Sequence, residues 1–362
     1  MRHFVERNLD ASLNRVAEGL RALMDLFRYG HDDGDAAARL KALRHELIRE
    51  LAPTGASAAA WLEARDSQAD VGRPSESTSH HGAYRDELDL FEANCRRVQE
   101  GLRSIEETYR LTDLPKARIS ENLRYRLYDL EKAVFPALLA RSHRGKMNFD
   151  LYVVTDRKIA GDRTLAWVVR EAIRGGAGCI QLREKSADIR AFLALAGELR
   201  RLTREEGVTF IINDSLEVAL EVEADGVHLG QEDLPLEVAR RLAGGRLLIG
   251  ISTHNKEQAL SAEAGGAGYI NLGPLFPTET KGVPVTPVSV ELVREMAPVL
   301  KVPFTTMGGI HLENVADVVL AGADRVAVVS EVMGAPDPRE AAKRMVAAIR
   351  EAKEMREENR ER

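Results

Sequence analysis

Residues 178–185 read GCIQLREK. A short apolar run is followed at once by a glutamine, an arginine, a glutamate and a lysine. The run has the look of a strand buried on both faces, with the polar residues falling at its carboxyl end. Gln181, Arg183 and Lys185 stand at i, i+2 and i+4, so in a continuing strand they share one face while Leu182 and Glu184 point away. The same rhythm recurs in LYVVTD (151–156), TFIINDS (209–215), GVHLG (226–230), LLIGIST (247–253), YINLGPLF (269–276), VPFTTMGG (302–309) and RVAVVSE (325–331). Helical patterns separate these runs, for example IRAFLALAGELRRLTREE (189–206). Eight strand–helix units in roughly 200 residues predict a closed (βα)8 TIM barrel. The competing arrangement is an open doubly wound sheet. Its usual mark is a glycine-rich turn after the first strand, and here that turn reads TDRKIAGDRT.

The whole chain has 362 residues, room for two domains. It is 44% hydrophobic with a formal net charge of -6, which gives no general attraction to nucleic acid or anionic lipid. Cys95 and Cys179 are far apart in sequence and offer neither metal-ligand spacing nor a disulfide framework. The start, MRHFVERNLDASLNR, lacks the apolar stretch of a signal peptide, and no run approaches the length of a membrane span. The expected setting is the reducing cytoplasm, with no nucleic-acid or membrane partner.

Residues 1–145 read as an all-α helical domain. LDASLNRVAEGLRALMDLFRY (9–29) sets Val16, Leu20, Leu23 and Phe27 on one stripe. AARLKALRHELIREL (37–51) and NLRYRLYDLEKAVFPALLA (122–140) follow. Between them SQADVGRPSESTSHHGAY (67–84) is either a connecting loop or an ordered lid. The domain contains a repeat: RVAEGLR at 15–21 returns as RVQEGLR at 97–103. One charged stripe carries Asn14, Glu18, Arg21, Asp25 and Arg28, the other Arg96, Glu100, Arg103, Glu107 and Arg110. They are either solvated faces with ion pairs along each helix or the lining of a shared cleft or a dimer interface. A glycine lies inside both helices, at Gly19 and Gly101. An exposed interior glycine costs about 1 kcal/mol relative to alanine, so two of them predict that the helices cross closely there. The domain boundary falls between Arg141 and Asn148, the barrel covers 149–350, and 351–362 form a polar tail.

In such a barrel the chemistry sits where strands end. Arg183 and Lys185 on one face repel each other unless an anion joins them, and phosphate or diphosphate suits their donors. Asp214 and Asp233 follow neighbouring strands and can hold Mg2+ through hard oxygens, shared with substrate phosphate. The alternative for this pair is helix capping. Asn213 precedes Asp214. Ser252 and His254 follow at the fifth strand. The sixth run leads into GPLFPTETKG (273–282), where Thr278, Thr280 and Lys281 stand on a path stiffened by Pro274 and Pro277. Gly308 and Gly309 let a ligand approach backbone N–H groups, and with Ser330 they form a second anion site at the strand 7–8 end. His228 reads as a packed, hydrogen-bonded histidine. No Ser-His-Asp arrangement is evident.

Taken in order, VVTD, QLREK, IINDS, VHLGQED, GIST, GPLFPTETK, MGGI and VAVVS resemble the thiamine phosphate synthase (thiamine-phosphate pyrophosphorylase) family over about residues 149–350. The resemblance implies a (βα)8 barrel. It would join hydroxymethylpyrimidine diphosphate to hydroxyethylthiazole phosphate with Mg2+, giving thiamine phosphate and diphosphate. It implies pyrimidine-diphosphate contacts at Gln181, Arg183, Lys185 and Asn213, magnesium residues at Asp214 and Asp233, and a serine near the reacting centre at Ser252. Thiazole-side contacts fall on Thr278 and Thr280, a diphosphate contact on Lys281, and the cradle for the thiazole phosphate on Gly309, Val329 and Ser330. Arg183, Lys185, Ser252 and Lys281 are then the catalytic group.

LDASLNRVAEGLR, LKALRHEL, ARDSQADVG and EANCRRVQEGLRSIEE resemble a helical domain found fused ahead of that synthase. That domain has been linked to phosphorylation of hydroxymethylpyrimidine phosphate, with ATP as the substrate it would use. No P-loop or glycine-rich kinase loop is present. Its candidate site comprises Asn14, Glu18, Arg21, Glu100 and Arg103 with the 66–84 loop. A noncatalytic dimerisation or substrate-handover domain is the alternative for this half. Another phosphate-binding lyase or isomerase is the alternative for the barrel.

Overall fold

The computed structural model describes residues 2–64, 84, 86–185, 187–278 and 286–361. The chain divides into two compact units, Met1–Ser142 and His143–Arg362.

The first unit is all helical: α1 (Arg2–Asp25), α2 (Gly34–Leu51), α3 (Ala56–Ala64), α4 (Glu87–Arg110) and all but the last four residues of α5 (Leu114–Lys146). Asp33 and Asp86 start α2 and α4 by accepting the backbone N–H groups of Ala36 and Asp89, both at 2.9 Å. The predicted stripe of Val16, Leu20, Leu23 and Phe27 is buried and shares one core with α2 and α4. Helices α1 and α4 run antiparallel and touch at the two glycines. A Cβ on Gly19 would meet Val98 and lie 3.6 Å from the Asn94 carbonyl oxygen; one on Gly101 would meet Val16 and lie 3.6 Å from the Ser12 carbonyl oxygen. These positions are equivalent in the repeat, so the crossing is reciprocal.

The second unit runs β1 (Leu151–Val154), α6 (Arg157–Ala160), α7 (Leu165–Arg174), β2 (Cys179–Leu182), α8 (Ile189–Glu205), β3 (Thr209–Asn213), α9 (Leu216–Glu221), β4 (Gly226–Leu229), α10 (Leu236–Ala243), β5 (Leu248–Thr253), α11 (Lys256–Ala264), β6 (Tyr269–Leu272), α12 (Val290–Met296), β7 (Phe304–Thr306), α13 (Val315–Leu320), β8 (Val326–Val328), α14 (Ser330–Met333) and α15 (Pro338–Glu361). The strands pair in parallel in sequence order, and β8 closes on β1, with Tyr152 beside Ala327. All eight expected strands are present in a closed TIM barrel.

Two apolar layers explain the near-continuous hydrophobic runs. Leu151, Val153, Ile180 and Leu182 pack outward against the helices. Tyr152, Val154, Cys179, Ile211, Leu248, Tyr269 and Ala327 fill the interior. The alternation along each strand assigns the side. Gly250 makes one interior position possible, because a Cβ there would collide with the Tyr269 ring. Among the described residues no helix is long and apolar enough to cross a membrane.

Candidate active site

A cavity of about 610 Å³ opens where the barrel strands end. Gln181, Arg183, Lys185, Asn213, Asp214, Asp233, Ser252, Thr278, Gly309, Val329 and Ser330 all line it. Thr280 and Lys281 lie outside the described residues, as does nearly all of the 66–84 loop.

The cationic wall comes from the end of β2. Arg183 stays on the cavity side because two groups of the first strand's loop hold it. Its backbone N–H donates to Thr155 Oγ1 at 3.0 Å, and its guanidinium meets Asp156 at 2.8 Å. Asp156 also caps α6 through the N–H groups of Lys158 and Ile159. Glu184 lies past the end of β2 and does not line the cavity. Its side chain is only 2% exposed and pairs with Arg157 at 3.0 Å rather than with Arg183 or Lys185. Lys185 reaches toward Asp214, 3.9 Å away, and remains 62% exposed.

The carboxylate wall comes from β3 and β4. Asp214 has a left-handed backbone, φ 63°, which aspartate tolerates better than most side chains. Its N–H donates to the His228 carbonyl at 2.8 Å. Neither aspartate caps a helix: Ser215 caps α9, and the residue before α10 is Pro235. Asp233 instead accepts from the Gly230 N–H at 2.6 Å. Burial pushes the Asp214 carboxyl up to about 6, aided by a hydrogen bond and like charge from Asp233 and opposed by Lys185 and Arg183. Burial and the neighbouring Asp233 thus favour the protonated form of Asp214 when no cation is present. Hard oxygen donors held together at this cost fit Mg2+. Among the described residues no group of three or more His, Cys, Asp or Glu side chains gathers, so the remaining ligands would be substrate oxygens and water.

The floor is polar where an ordinary barrel core is apolar. Gln181 donates to the Tyr152 hydroxyl, which neighbours the Tyr269 hydroxyl. His228 bridges Tyr269 and Ser252, the packed and hydrogen-bonded role expected of it. Gln231 donates to the Ser252 carbonyl oxygen, and the Asn271 side chain accepts from Thr305 at 2.9 Å. The sequence reading missed Asp156, Tyr152, Tyr269, Gln231 and Asn271. Asp156 carried a signal, being a polar strand end like the others. The tyrosines carried only their inward register.

In the helical unit, Asn14, Glu18, Arg21, Glu100 and Arg103 all lie on exposed faces of α1 and α4. Asn14 bonds Asp10, Arg21 pairs with Asp25 at 3.3 Å, and Arg103 pairs with Glu107 at 2.7 Å, each along its own helix. The buried polar groups are different ones. Glu106 is fully buried and meets Arg103, Arg110 and Arg124 at 2.9, 2.8 and 3.0 Å. Across the α1–α4 seam, Asn8 donates to Thr108 at 2.6 Å and to Ser104 at 3.1 Å.

Known proteins resemble both halves of the chain. Residues 151–332 match the family described as thiamine monophosphate synthase, and residues 7–133 match the ThiD2 family. The thiamine-phosphate synthase of Gloeobacter violaceus is 40% identical over 92% of this chain and 94% of its own length. That of Thermosynechococcus vestitus is 38% identical over 92% of each. A solved structure, thiamine phosphate pyrophosphorylase from Pyrococcus furiosus, covers 57% of this chain and 98% of its own with 40% identity and a TM-score of 0.53. With both halves matched along nearly their full length, the chain belongs to the thiamine-phosphate synthase family, in the form that carries a ThiD2-like helical domain ahead of the barrel.

Proposed function

We propose that the barrel joins hydroxymethylpyrimidine diphosphate to hydroxyethylthiazole phosphate by a dissociative substitution. One observation carries this reading: a cationic wall, a carboxylate pair and a polar floor meet in a single cavity. The bond that breaks joins the pyrimidine methylene carbon to the diphosphate oxygen, and the electron pair leaves with the diphosphate. The aminopyrimidine ring stabilises the resulting cation. The thiazole nitrogen then forms the new C–N bond with its lone pair. That nitrogen has no proton to lose, so no general base is needed.

Arg183 and Lys185 meet the charge that grows on the departing diphosphate, and Lys281 joins them in this assignment. Gln181, Asn213 and Ser252 hold the ring. Thr278 and Thr280 meet the thiazole side, and the backbone at Gly309, Val329 and Ser330 cradles its phosphate. Asp214 and Asp233 would hold Mg2+, whose charge would help neutralise the diphosphate. The test is the full chain supplied with both ring substrates, with and without Mg2+. Metal-dependent thiamine phosphate supports the reading, and no coupled product sinks it.

The ThiD2-family match favours a second activity in the helical unit, phosphorylation of hydroxymethylpyrimidine phosphate by ATP. Full-length chain given ATP, Mg2+ and the pyrimidine monophosphate should yield the diphosphate. If only added diphosphate supports coupling, the helical unit is a dimerisation or handover module instead. We place both activities in the cytoplasm, in keeping with two free, buried cysteines.

A further inference from the structure

Five buried side chains form one hydrogen-bonded chain inside the barrel. Gln181 Nε2 donates to the Tyr152 hydroxyl at 2.6 Å, which lies 3.1 Å from the Tyr269 hydroxyl. The Tyr269 hydroxyl lies 2.9 Å from His228 Nδ1, and His228 Nε2 lies 2.9 Å from Ser252 Oγ. Both ends of this chain, Gln181 and Ser252, line the mouth cavity.

The arrangement has a direction. Each link takes one hydrogen, and each phenol, like an imidazole in its neutral form, has one to give. When Gln181 supplies the first, Tyr152 gives its own to Tyr269, and Tyr269 gives its own to His228 Nδ1. His228 then carries its hydrogen on Nε2 and gives it to Ser252 Oγ. The Ser252 hydroxyl hydrogen is thereby left to point at a ligand. If Gln181 presented its carbonyl oxygen to Tyr152, every link would reverse, and Ser252 would offer the cavity only lone pairs. Burial holds both phenols well above their ordinary pKa, so both keep their protons near neutrality.

We propose that Tyr152, Tyr269 and His228 are positioning residues that lock the donor–acceptor polarity of Gln181 to that of Ser252, making the site select an amino-substituted heteroaromatic ring over its oxo counterpart. This rests on the reading that Gln181 and Ser252 hold the pyrimidine. An aminopyrimidine offers a bare ring nitrogen to the Ser252 hydrogen and an amino hydrogen to the Gln181 carbonyl. The oxo ring carries an N–H and a carbonyl at those places. Accepting it would mean reversing every link together or leaving buried groups unpaired. No single residue of the chain can adapt alone.

Two measurements test the relay. Nitrogen NMR of the histidine-labelled full chain, with His228 assigned by the missing signal of His228→Asn, should show the Nε2–H tautomer. The Nδ1–H tautomer or an imidazolium would overturn the proposal. Second, kcat/KM for hydroxymethylpyrimidine diphosphate over its oxo analogue should fall at least about tenfold in Tyr269→Phe, because Gln181 and Ser252 become independent. An unchanged ratio in a folded variant would overturn it. Tyr152→Phe should show the same loss and serves where Tyr269→Phe does not fold. Absence of any coupled product from the wild-type chain would sink the synthase reading instead, and the tautomer measurement would still decide the relay.

Discussion

Val98 fills the space that a side chain on Gly19 would take, and its counterpart in the repeat, Val16, does the same at Gly101. The backbones come close enough that a Cβ on either glycine would lie 3.6 Å from a carbonyl oxygen of the opposite helix. An added methyl has no room on either side. Gly19→Ala and Gly101→Ala should each destabilise the helical unit by about 1–3 kcal/mol, the usual cost of overpacking. Gly34→Ala is the control, since nothing lies within 4 Å of its would-be Cβ. Urea unfolding of the full chain followed by helix content measures this. Variants as stable as wild type would mean that the crossing is looser than described.

Glu106 predicts a larger loss. Burial alone would raise its pKa, but hydrogen bonds from Arg124 and Arg110 and the charge of Arg103 bring it below the ordinary value. A depressed carboxyl stabilises the fold above its unfolded pKa, and that contribution is lost as the pH falls through the folded value. Glu106→Gln leaves Arg124, 11% exposed, without its counter-charge. The expected loss is about 3–5 kcal/mol near neutral pH, shrinking in acid. A variant whose stability matches wild type at neutral pH would contradict this account.

The barrel was legible because its strands are buried on both sides and end in polar residues. Leu151 to Val154 are all buried, and the next two residues, Thr155 and Asp156, already serve the site. Gln181 could be placed by strand alternation because it lies within β2, whereas Arg183, one residue past Leu182, is held on the cavity side by Thr155 and Asp156. The polar floor could not be read in the same way. Tyr152 and Tyr269 look like core aromatics, and only the closure of β1 and β6 around one interior brings their hydroxyls together. Glu106 was hidden for a related reason. It sits one position before the exposed Glu107, and only the packing of α5 shows which of the two is inside.

Asp214 gives a prediction that reads metal binding through stability. Its carboxyl, raised to about 6 by burial and by Asp233, binds a proton more readily in the folded chain than in the unfolded one. Its contribution to stability is therefore fully present below the ordinary carboxylate range and is lost as the pH rises through about 6. Asp214→Asn should raise the Tm of the metal-free protein at about pH 8, where wild type carries the full repulsion. Mg2+ should raise the wild-type Tm at that pH and do so progressively less below about 6, as protons take its place. The Asn variant should lose the Mg2+ response. A Mg2+ shift of equal size in both proteins would place the metal elsewhere.

Arg183 and Asp156 separate charge from geometry. Their ion pair is 2.8 Å long with side chains 16% and 12% exposed, so the guanidinium is fixed before any diphosphate arrives. Arg183→Lys keeps the charge but loses the planar fork. It should lower kcat by about 10²–10³, the range for removing one donor to a developing anion. Asp156→Asn can still cap α6 through Lys158 and Ile159, so the fold should lose less than about 1 kcal/mol. It removes the anchoring charge, and Arg183 must then be ordered by the substrate itself. KM for the pyrimidine diphosphate should rise about tenfold or more, with a smaller change in kcat. Steady-state kinetics with the thiazole phosphate saturating gives both numbers. If Asp156→Asn lowers kcat as far as Arg183→Lys while KM stays fixed, Asp156 acts in the bond-breaking step and is no mere anchor.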